Sequence, residues 1–235
     1  MKIAIIGSGF FGLTLGLFLS KKHEVHIFEK EKEVLNGASS ANQFRFHLGY
    51  HYPRSQKTVT EINKSKNLFT DYFGRKIFQK TLNYYLIANE SKVNFKKYKK
   101  FFKKNKLYNK ILNNFISSKI INKIILTNEK ILNYFSFKKL ILKKIEYSKL
   151  KLRLNSEFKK SYLKNYDKVI LTTYANNNKI LKKLGVKKLD NFKFELVEKI
   201  VIKLPKKFHN KSFVVIDGKF VCVDPYLGTK YHLLS

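Results

Sequence analysis

A segment near the N-terminus, GASSANQFRFHLGYHYPRS (residues 37–55), concentrates side chains that can do chemistry. In a chain rich in lysine it contains no lysine, but it carries two arginines, two histidines, hydroxyls and amides. Imidazoles can move protons near neutral pH, arginines can bind carboxylates, and hydroxyls and amides can donate hydrogen bonds without a fixed charge. The pattern predicts a cofactor- or substrate-lining segment. The alternative is a structural loop whose polar groups cap helices and fill turns.

The upstream residues 3–29, IAIIGSGFFGLTLGLFLSKKHEVHIFE, predict a strand, a turn, a helix and a second strand. The apolar run KIAII is typical of a strand buried in a parallel sheet. The turn Gly7-Ser8-Gly9-Phe10-Phe11-Gly12 reads G-x-G-x-x-G. Its first glycine permits the tight turn, its second lets a pyrophosphate approach the backbone, and its third lets the helix pack closely. The helix, expected from about Phe10 to Ser20, would point its N-terminal N–H groups at phosphates.

The second strand ends at Glu29, 22 residues after Gly7. An acidic side chain at this position accepts hydrogen bonds from an adenosine ribose, and its charge would repel the 2′-phosphate of NADP. Lys30 is a further candidate cofactor contact. Strand, glycines, helix, strand and acid at this spacing predict a dinucleotide-binding unit, against the alternative of a chance glycine-rich turn.

The chain continues KEKEVLNGASSANQFRFHLGYHYPRS instead of entering another helix and strand at once. This pattern resembles the FAD-dependent oxidoreductases of the D-amino-acid oxidase type, in which a G-x-S-x-x-N-like segment passes over the pyrophosphate towards the flavin. The resemblance implies FAD as the cofactor. It also implies cofactor contacts at Ser39, Ser40, Asn42 and Gln43.

A second resemblance to that family lies in NYDKVILTTYANN, residues 165–177. There a returning strand of the dinucleotide domain meets the cofactor, which implies cofactor contacts at Thr172 and Thr173. The family's motif ends in Ala-Thr/Ala-Gly, whereas this chain has Thr173-Tyr174-Ala175. The missing glycine removes one close backbone approach.

The fold that the resemblance implies is α/β, with a Rossmann-like FAD-binding domain and an inserted α+β substrate domain. The first, a parallel sheet with helices on both faces, would comprise residues 1–75 and 131–190; the second, with a mixed sheet, 76–130 and 191–235. Helical spacing predicts helices in SQKTVTEINKSKNLFTDYF, VNFKKYKKFFKKN, LYNKILNN and FSFKKLILKKIEYS, the first with Val59, Ile62, Leu68, Phe69 and Phe73 available for a buried face. β-patterned runs predict strands in NYYLIAN, KIINKIILTNE, KLKLRLN and FKFELVEKIVIKLP, and a hairpin in SFVVIDGKFVCVDPYL that turns at Asp217-Gly218.

The chain ends at YLGTKYHLLS, without the Pro/Gly-rich segment that closes the flavin site in the D-amino-acid oxidase type. By the resemblance, the sequence is therefore expected to be a family member that lacks the C-terminal part.

The 235 residues carry a formal net charge of +33, which would suit nucleic acid. Nearly all of this charge is lysine, and only four residues are arginine, the side chain favoured for bidentate phosphate and base contacts. Abundant Lys, Asn, Ile, Phe and Tyr with no Trp indicate an AT-rich coding bias. We therefore expect a solvated surface charge and no nucleic-acid partner, and keep a nucleic-acid binder as an alternative.

The single cysteine, Cys222, allows no internal disulfide and favours a reducing cytoplasm. No cluster of Cys, His and carboxylates has metal-ligand spacing, so no metal is expected. The uncharged stretch Ile3 to Ser20 is long enough for a membrane span, but the dinucleotide turn accounts for its glycines. We expect no membrane span and a cytoplasmic location.

The function that the resemblance implies is oxidation of an amine, amino acid or hydroxyl group of a small molecule by hydride transfer to FAD. Arg45, His47, Tyr50 and His51 are the catalytic or substrate-side candidates. The histidines could act as acid/base groups, flavin anchors or packed side chains, and Arg45 or Arg54 could bind a carboxylate or form a structural ion pair. The alternatives are a non-redox flavoenzyme of the sugar-mutase kind and a truncated, non-catalytic dinucleotide-binding remnant.

Overall fold

The computed structural model describes residues 1–113, 119–218 and 221–235. The helices in these ranges are α1 (Phe10–Leu19), α2 (Gln56–Phe73), α3 (Phe95–Lys104), α4 (Tyr134–Glu146) and α5 (Asn177–Lys183). The strands are β1 (Lys2–Ile6), β2 (Glu24–Phe28), β3 (Arg45–Phe46), β4 (Phe78–Gln79), β5 (Leu82–Ala88), β6 (Asn109–Leu112), β7 (Ile121–Thr127), β8 (Lys130–Leu132), β9 (Lys151–Arg153), β10 (Lys168–Leu171), β11 (Ile200–Ile202), β12 (Lys211–Ile216), β13 (Val221–Pro225) and β14 (His232–Leu234).

The chain divides into two compact units, each built from two segments. The first unit comprises Met1–Asn42 and Lys138–Leu196, and the second comprises Gln43–Phe137 and Val197–Ser235. The sequence placed residues 43–75 and 131–137 in the first unit, but they belong to the second, and residues 191–196, which it placed in the second, belong to the first. For the first two ranges the reason is strand pairing and ring packing, because β3 pairs with β8 and the Phe73 ring lies 5.1 Å from that of Phe137.

The first unit is built on a parallel four-stranded sheet in the order β10-β1-β2-β9. Helix α1 covers one face, and a Cβ at Gly16 would lie 2.7 Å from Cδ1 of Ile27, so a larger residue there would require the Ile27 side chain to move. On the other face, Ala4, Ile6 and Phe28 form a core with side chains that include Ile180 of α5. The prediction of a parallel sheet with helices on both faces is confirmed.

The second unit contains a seven-stranded mixed sheet in the order β11-β14-β13-β12-β5-β7-β6 and a three-stranded sheet in the order β3-β8-β4. Strand β12 runs parallel to β5, whereas β5 and β7 are antiparallel. Helix α3 buries Tyr98 and Phe102 against the large sheet, where they join Tyr85 and Ile125 in one core. Its lysines are exposed, which leaves the helix with one buried aromatic face.

Three local predictions were wrong. Of the predicted helix in LYNKILNN, residues 109–112 form β6, whose four residues pair with β7, and its last residue, 114, lies outside the described ranges. In FKFELVEKIVIKLP only Ile200–Ile202 forms a strand. The side chain of Leu68 is 71% exposed and does not belong to the buried face of α2.

The predicted hairpin is present, because β12 and β13 pair in antiparallel fashion across Asp217-Gly218. Its predicted residues 219 and 220 lie outside the described ranges. Within those ranges, no helix has the length and apolar character that a membrane crossing requires.

Candidate functional site

The glycine turn between β1 and α1 has the close packing that its motif predicts. Gly7 has φ +101°, a conformation that favours glycine. A Cβ at Gly12 would lie 2.0 Å from the Gly7 carbonyl oxygen, which backbone cannot accommodate. By contrast, a Cβ at Gly9 would meet only the Ser39 hydroxyl, at 3.3 Å. The turn is therefore closed on the helix–strand side and open above Gly9.

The N-terminus of α1 can receive an anion. Gly9 caps the helix without a side chain, and the first turn contains no acidic residue. The N–H of Phe10 donates a hydrogen bond to the Ser39 hydroxyl at 2.9 Å. A hydroxyl whose oxygen accepts from the helix still has its own proton to donate. Backbone N–H groups, a helix dipole and this hydroxyl together suit a phosphate oxygen.

Glu29 follows β2 and is fixed against the same turn. Its Oε2 atom accepts hydrogen bonds from both the backbone N–H and the hydroxyl of Ser8, each at 2.8 Å. Its Oε1 atom accepts one from the N–H of Glu31 at 3.0 Å. The carboxylate is thus oriented beside the glycine turn, where a ribose hydroxyl would have an acceptor. The residues of this turn fit the phosphate and ribose portions of a dinucleotide.

Other predicted cofactor residues have local partners. Ser40 donates to the carbonyls of Asn36 and Gly37, and Asn42 donates to those of Ala38 and Ser39. Both side chains therefore shape the loop that carries Ser39.

The threonines after β10 support the first unit in different ways. The Thr172 hydroxyl lies 2.9 Å from the carbonyl oxygens of both Ile6 and Gly7, behind the glycine turn. The Thr173 hydroxyl donates to Asn177 at the start of α5. Lys30 forms an exposed ion pair with Glu31. Gln43 belongs to the second unit, where its amide donates to the Ser235 hydroxyl.

A buried charge centre lies in the second unit around Arg45. Its side chain is 1% exposed, with Nη1 bound to Asp224 and Nη2 bound to Glu129. Nη1 also donates to the Ser212 hydroxyl at 2.6 Å. Burial lowers the pKa of Arg45, but Tyr85 and the two carboxylates outweigh it and hold that pKa well above its ordinary value. Arg45 is the cation of a structural ion triad.

The two carboxylates of this centre differ. Burial raises the pKa of Glu129, but Arg45, His47 and Tyr85 outweigh burial and hold that pKa below its usual range. Burial also raises the pKa of Asp224, and here Arg45 and Ser212 offset it only in part. Within the described ranges, the Oδ2 atom of Asp224 is buried without a hydrogen-bond partner. Of the two carboxylates, Glu129 is therefore the one whose charged form is stabilised by its surroundings.

Polar side chains also cross the large sheet beside this centre. Ser212 pairs with Asn83, and Asn83 with Thr127, across three adjacent strands. The Ser212 hydroxyl donates to Asp224 on the fourth strand at 2.6 Å. All four side chains are buried. Buried polar groups are costly unless they are paired. This row of polar side chains provides such partners on the sheet beside the charge centre.

His47 stands between the charge centre and solvent. Its buried Nδ1 atom lies 3.5 Å from Oε1 of Glu129 and has no hydrogen-bond partner among the described residues, while its side chain is 31% exposed. The His51 ring lies 5.3 Å from that of His47. Burial and the nearby His47 lower the pKa of His51 to about 4, so that His51 is neutral at pH 7. His47 is the histidine that combines a carboxylate partner with an exposed edge.

Two further candidate site residues, Tyr50 and Arg54, make contacts that stabilise the fold. Tyr50 is 0% exposed, and its hydroxyl lies within hydrogen-bonding distance of two acceptors, Oδ1 of Asn128 and the Tyr108 carbonyl. It forms part of the core against α3. Arg54 makes a bidentate ion pair with Asp217, through Nε at 2.8 Å and Nη2 at 3.1 Å.

The sequence reasoning missed the partners of Arg45, namely Glu129 and Asp224. One available signal was the scarcity of acids, since the chain has 16 Asp and Glu against 49 Lys and Arg. Asp224 interrupts the β-patterned run FVCVDP, and Glu129 ends the run IILTNE. A carboxylate inside an apolar strand pattern indicates a buried partner.

Comparison with known families and curated proteins points to flavoproteins. Residues 2–115 match the family described as FAD dependent oxidoreductase, DAO. The FAD-dependent monooxygenase kojA of Aspergillus flavus is 39% identical over 59 residues, which cover 25% of this chain and 14% of that protein. The FAD-dependent monooxygenase FPY4 of Fusarium mangiferae is 32% identical over 72 residues, covering 30% and 20%. These matches span well under two thirds of the curated relatives.

Solved structures share the fold along nearly the whole chain. L-proline dehydrogenase from P. horikoshii has a TM-score of 0.72 at 14% identity, covering 99% of this chain and 68% of that one. L-alpha-glycerophosphate oxidase from Mycoplasma pneumoniae, solved with FAD bound, has a TM-score of 0.69 at 18% identity, covering 99% and 70%. Glycine oxidase from Geobacillus kaustophilus has a TM-score of 0.69 at 14% identity, covering 99% and 70%. The predicted fold class, family resemblance and FAD cofactor are confirmed.

Proposed function

We propose that this chain is a FAD-dependent oxidoreductase of the DAO type that oxidises an amine, amino acid or hydroxyl group of a small molecule. The observation that carries the proposal is the turn around Gly9, where open backbone, the start of α1 and the Ser39 hydroxyl converge. Such a cradle suits a pyrophosphate. The small-molecule substrates named for the structural relatives support the reaction class.

Different residues of the first unit contact different parts of the cofactor. Gly7, Gly9 and Gly12 form the pyrophosphate turn, and Ser39 donates its hydroxyl proton to a phosphate oxygen. Glu29 accepts hydrogen bonds from the adenosine ribose, and its fixed orientation reduces the entropy lost on binding. When bound, FAD supplies a two-electron acceptor for the substrate's hydride.

In the second unit, His47 is the candidate proton acceptor. His47 accepts the proton that an alcohol or ammonium group must release as it becomes a carbonyl or imine. Arg45 does not bind the substrate, because both of its terminal nitrogens are bound to buried carboxylates. The pKa of His51 is lowered to about 4, so at neutral pH its uncharged ring lies beside that of His47.

The test is purification of the chain with FAD supplied, followed by anaerobic mixing with panels of amino acids, secondary amines and hydroxy acids. Flavin absorbance should co-elute with the folded protein and bleach with at least one substrate class. The immediate product should be two hydrogen atoms lighter than the substrate, and an imine product should then hydrolyse in water to a carbonyl compound with release of ammonia or an amine. Gly9→Val, which places a branched side chain in the pyrophosphate's path, is the matched control and should elute without flavin.

Other outcomes would each overturn part of the proposal. In a parallel assay under ¹⁸O-labelled O₂, a product that gains labelled oxygen would instead match the curated relatives named as monooxygenases. Isomerisation that needs reduced flavin without net oxidation would indicate a mutase. Folded protein that binds neither FAD nor NAD would favour a non-catalytic remnant.

A further inference from the structure

Glu129 is held by hydrogen bonds on both of its carboxylate oxygens. Its Oε2 atom accepts from Arg45 Nη2 and from the Tyr85 hydroxyl. Its Oε1 atom accepts from the backbone N–H of Leu48 at 3.0 Å and lies 3.5 Å from Nδ1 of His47. The carboxylate thus contacts both the His47 ring and the peptide that follows it.

We propose that Glu129 is a positioning residue that keeps the proton of neutral His47 on Nδ1 and leaves Nε2 as the proton acceptor. The inference rests on the proposed function, in which His47 takes up the substrate's proton. Because an ionised carboxylate only accepts hydrogen bonds, its charge 3.5 Å from Nδ1 favours a proton on that nitrogen over a lone pair. Which imidazole nitrogen carries the proton is set by the partner of the other nitrogen.

The surroundings of Glu129 keep it charged and immobile. The carboxyl group is fully buried, and the guanidinium of Arg45 opposes the effect of burial and holds the pKa of Glu129 below its usual range. Asp224 and Ser212 fix that guanidinium on its other side. Glu129 therefore presents the same acceptor to Nδ1 whatever occupies the exposed side of the ring.

The chemical consequence concerns one proton. When a substrate O–H or N–H bond breaks, its proton goes to Nε2 of His47 while the Nδ1 proton stays directed at Glu129. The positive charge that forms on the ring is then adjacent to a buried carboxylate. A carboxylate in this position stabilises the imidazolium without becoming protonated itself.

The first test is a long-range ¹H–¹⁵N spectrum of the ¹⁵N-labelled full chain with FAD supplied, at about pH 8.5, well above the ordinary imidazole pKa of roughly 6.5. The chain has six histidines, and His47→Asn identifies the signals of this ring. The expected result is a protonated Nδ1 and a bare Nε2. A ring protonated mainly on Nε2 overturns the proposal, and this readout needs no turnover.

The second test compares Glu129→Gln with Asp217→Asn, which alters another buried carboxylate bound to an arginine. Two donors face Oε2 of residue 129, so the Gln carbonyl should take that place and its NH₂ group should face His47. The Nδ1 atom must then accept, and the proton should move to Nε2 in Glu129→Gln but not in Asp217→Asn. Activity should fall by about 10²–10⁴-fold in Glu129→Gln alone, because the bare Nε2 is lost.

These readouts separate the two proposals. An Nδ1-protonated ring in a chain that does not bind FAD would support the role of Glu129 while refuting the flavin function. A chain that oxidises substrate but keeps the same His47 tautomer in a folded Glu129→Gln variant would refute the role of Glu129. If Glu129→Gln does not fold, the wild-type tautomer still decides.

Discussion

The hydroxyl oxygen of Ser39 lies 2.9 Å from the backbone nitrogen of Phe10, across 29 positions of the sequence. The contact joins the loop after β2 to the first turn of α1. Ser39 thereby adds a hydroxyl proton at the place where the helix presents its positive end. In this way the polar segment that begins at Gly37 reaches the glycine turn.

Ser39→Ala should weaken FAD binding by about tenfold, because one hydrogen bond of about 1–1.5 kcal/mol is lost from a phosphate oxygen. Ser40→Ala is the matched control, since the Ser40 hydroxyl donates to loop carbonyls. The dissociation constants of both variants can be measured by flavin fluorescence titration. Equal weakening by both variants would show that the loop's conformation, and not the Ser39 hydroxyl, is responsible.

Substitutions at Gly9 and Gly12 should affect different properties, FAD binding at Gly9 and folding stability at Gly12. Gly12→Ala places a Cβ 2.0 Å from the Gly7 carbonyl oxygen, so the turn must shift and the free energy of unfolding should fall by about 1–3 kcal/mol. Gly9→Val should keep its stability and lose FAD, because only the Ser39 hydroxyl lies within 4 Å of a Cβ there. Urea unfolding and flavin content measure the two effects. A folded Gly9→Val variant with stoichiometric FAD would contradict the assignment of the turn.

The sequence was sufficient for the N-terminal strand–turn–helix–strand segment of the first unit because its elements are local. The spacing from Gly7 to Glu29 specifies one strand, one turn and one helix, and each occurs where the pattern predicted it. Short-range patterns determine such structure since strand and helix periods are read directly from neighbouring residues.

The second unit was harder to predict because its contacts are distant in sequence. Arg45 binds Glu129 and Asp224, which lie 84 and 179 positions away. No periodicity connects these residues, and the same arginine would fit a substrate carboxylate equally well. Likewise, residues 109–112 have a helical pattern but pair with β7, because tertiary context overrides weak local propensity.

The carboxylates of the charge centre should give opposite pH dependences. The pKa of Glu129 is lowered by folding, so its contribution to stability is present above the unfolded value of roughly 4.3 and is lost as the pH falls towards the folded value. The pKa of Asp224 is raised, so its charged form destabilises the folded state as the pH rises from roughly 3.9 towards the folded value. Asp224→Asn should therefore become more stable relative to wild type over that rise. Glu129→Gln should become less stable relative to wild type as the pH rises to about 5, by about 3–5 kcal/mol at neutral pH.

Urea unfolding of wild type and both variants at a series of pH values measures these slopes. Lys183→Ala is a suitable control, because the Lys183–Glu157 pair is half exposed at the surface and should contribute little. Slopes of the same sign for Asp224→Asn and Glu129→Gln would mean that the two carboxylates share Arg45 equally.

His51 should make the protein sensitive to mild acid. Burial and the nearby His47 lower its pKa to about 4, against an ordinary value of roughly 6.5. A lowered histidine pKa means that the unfolded chain takes up the proton first, so stability should fall as the pH drops from about 6.5 to about 4, by at most about 3 kcal/mol. His51→Gln removes this titration and should flatten the curve of unfolding free energy against pH over that interval. Because His51 faces His47, Glu129, Arg45 and Asp217, an unchanged slope in His51→Gln would assign the acid sensitivity to one of those neighbours.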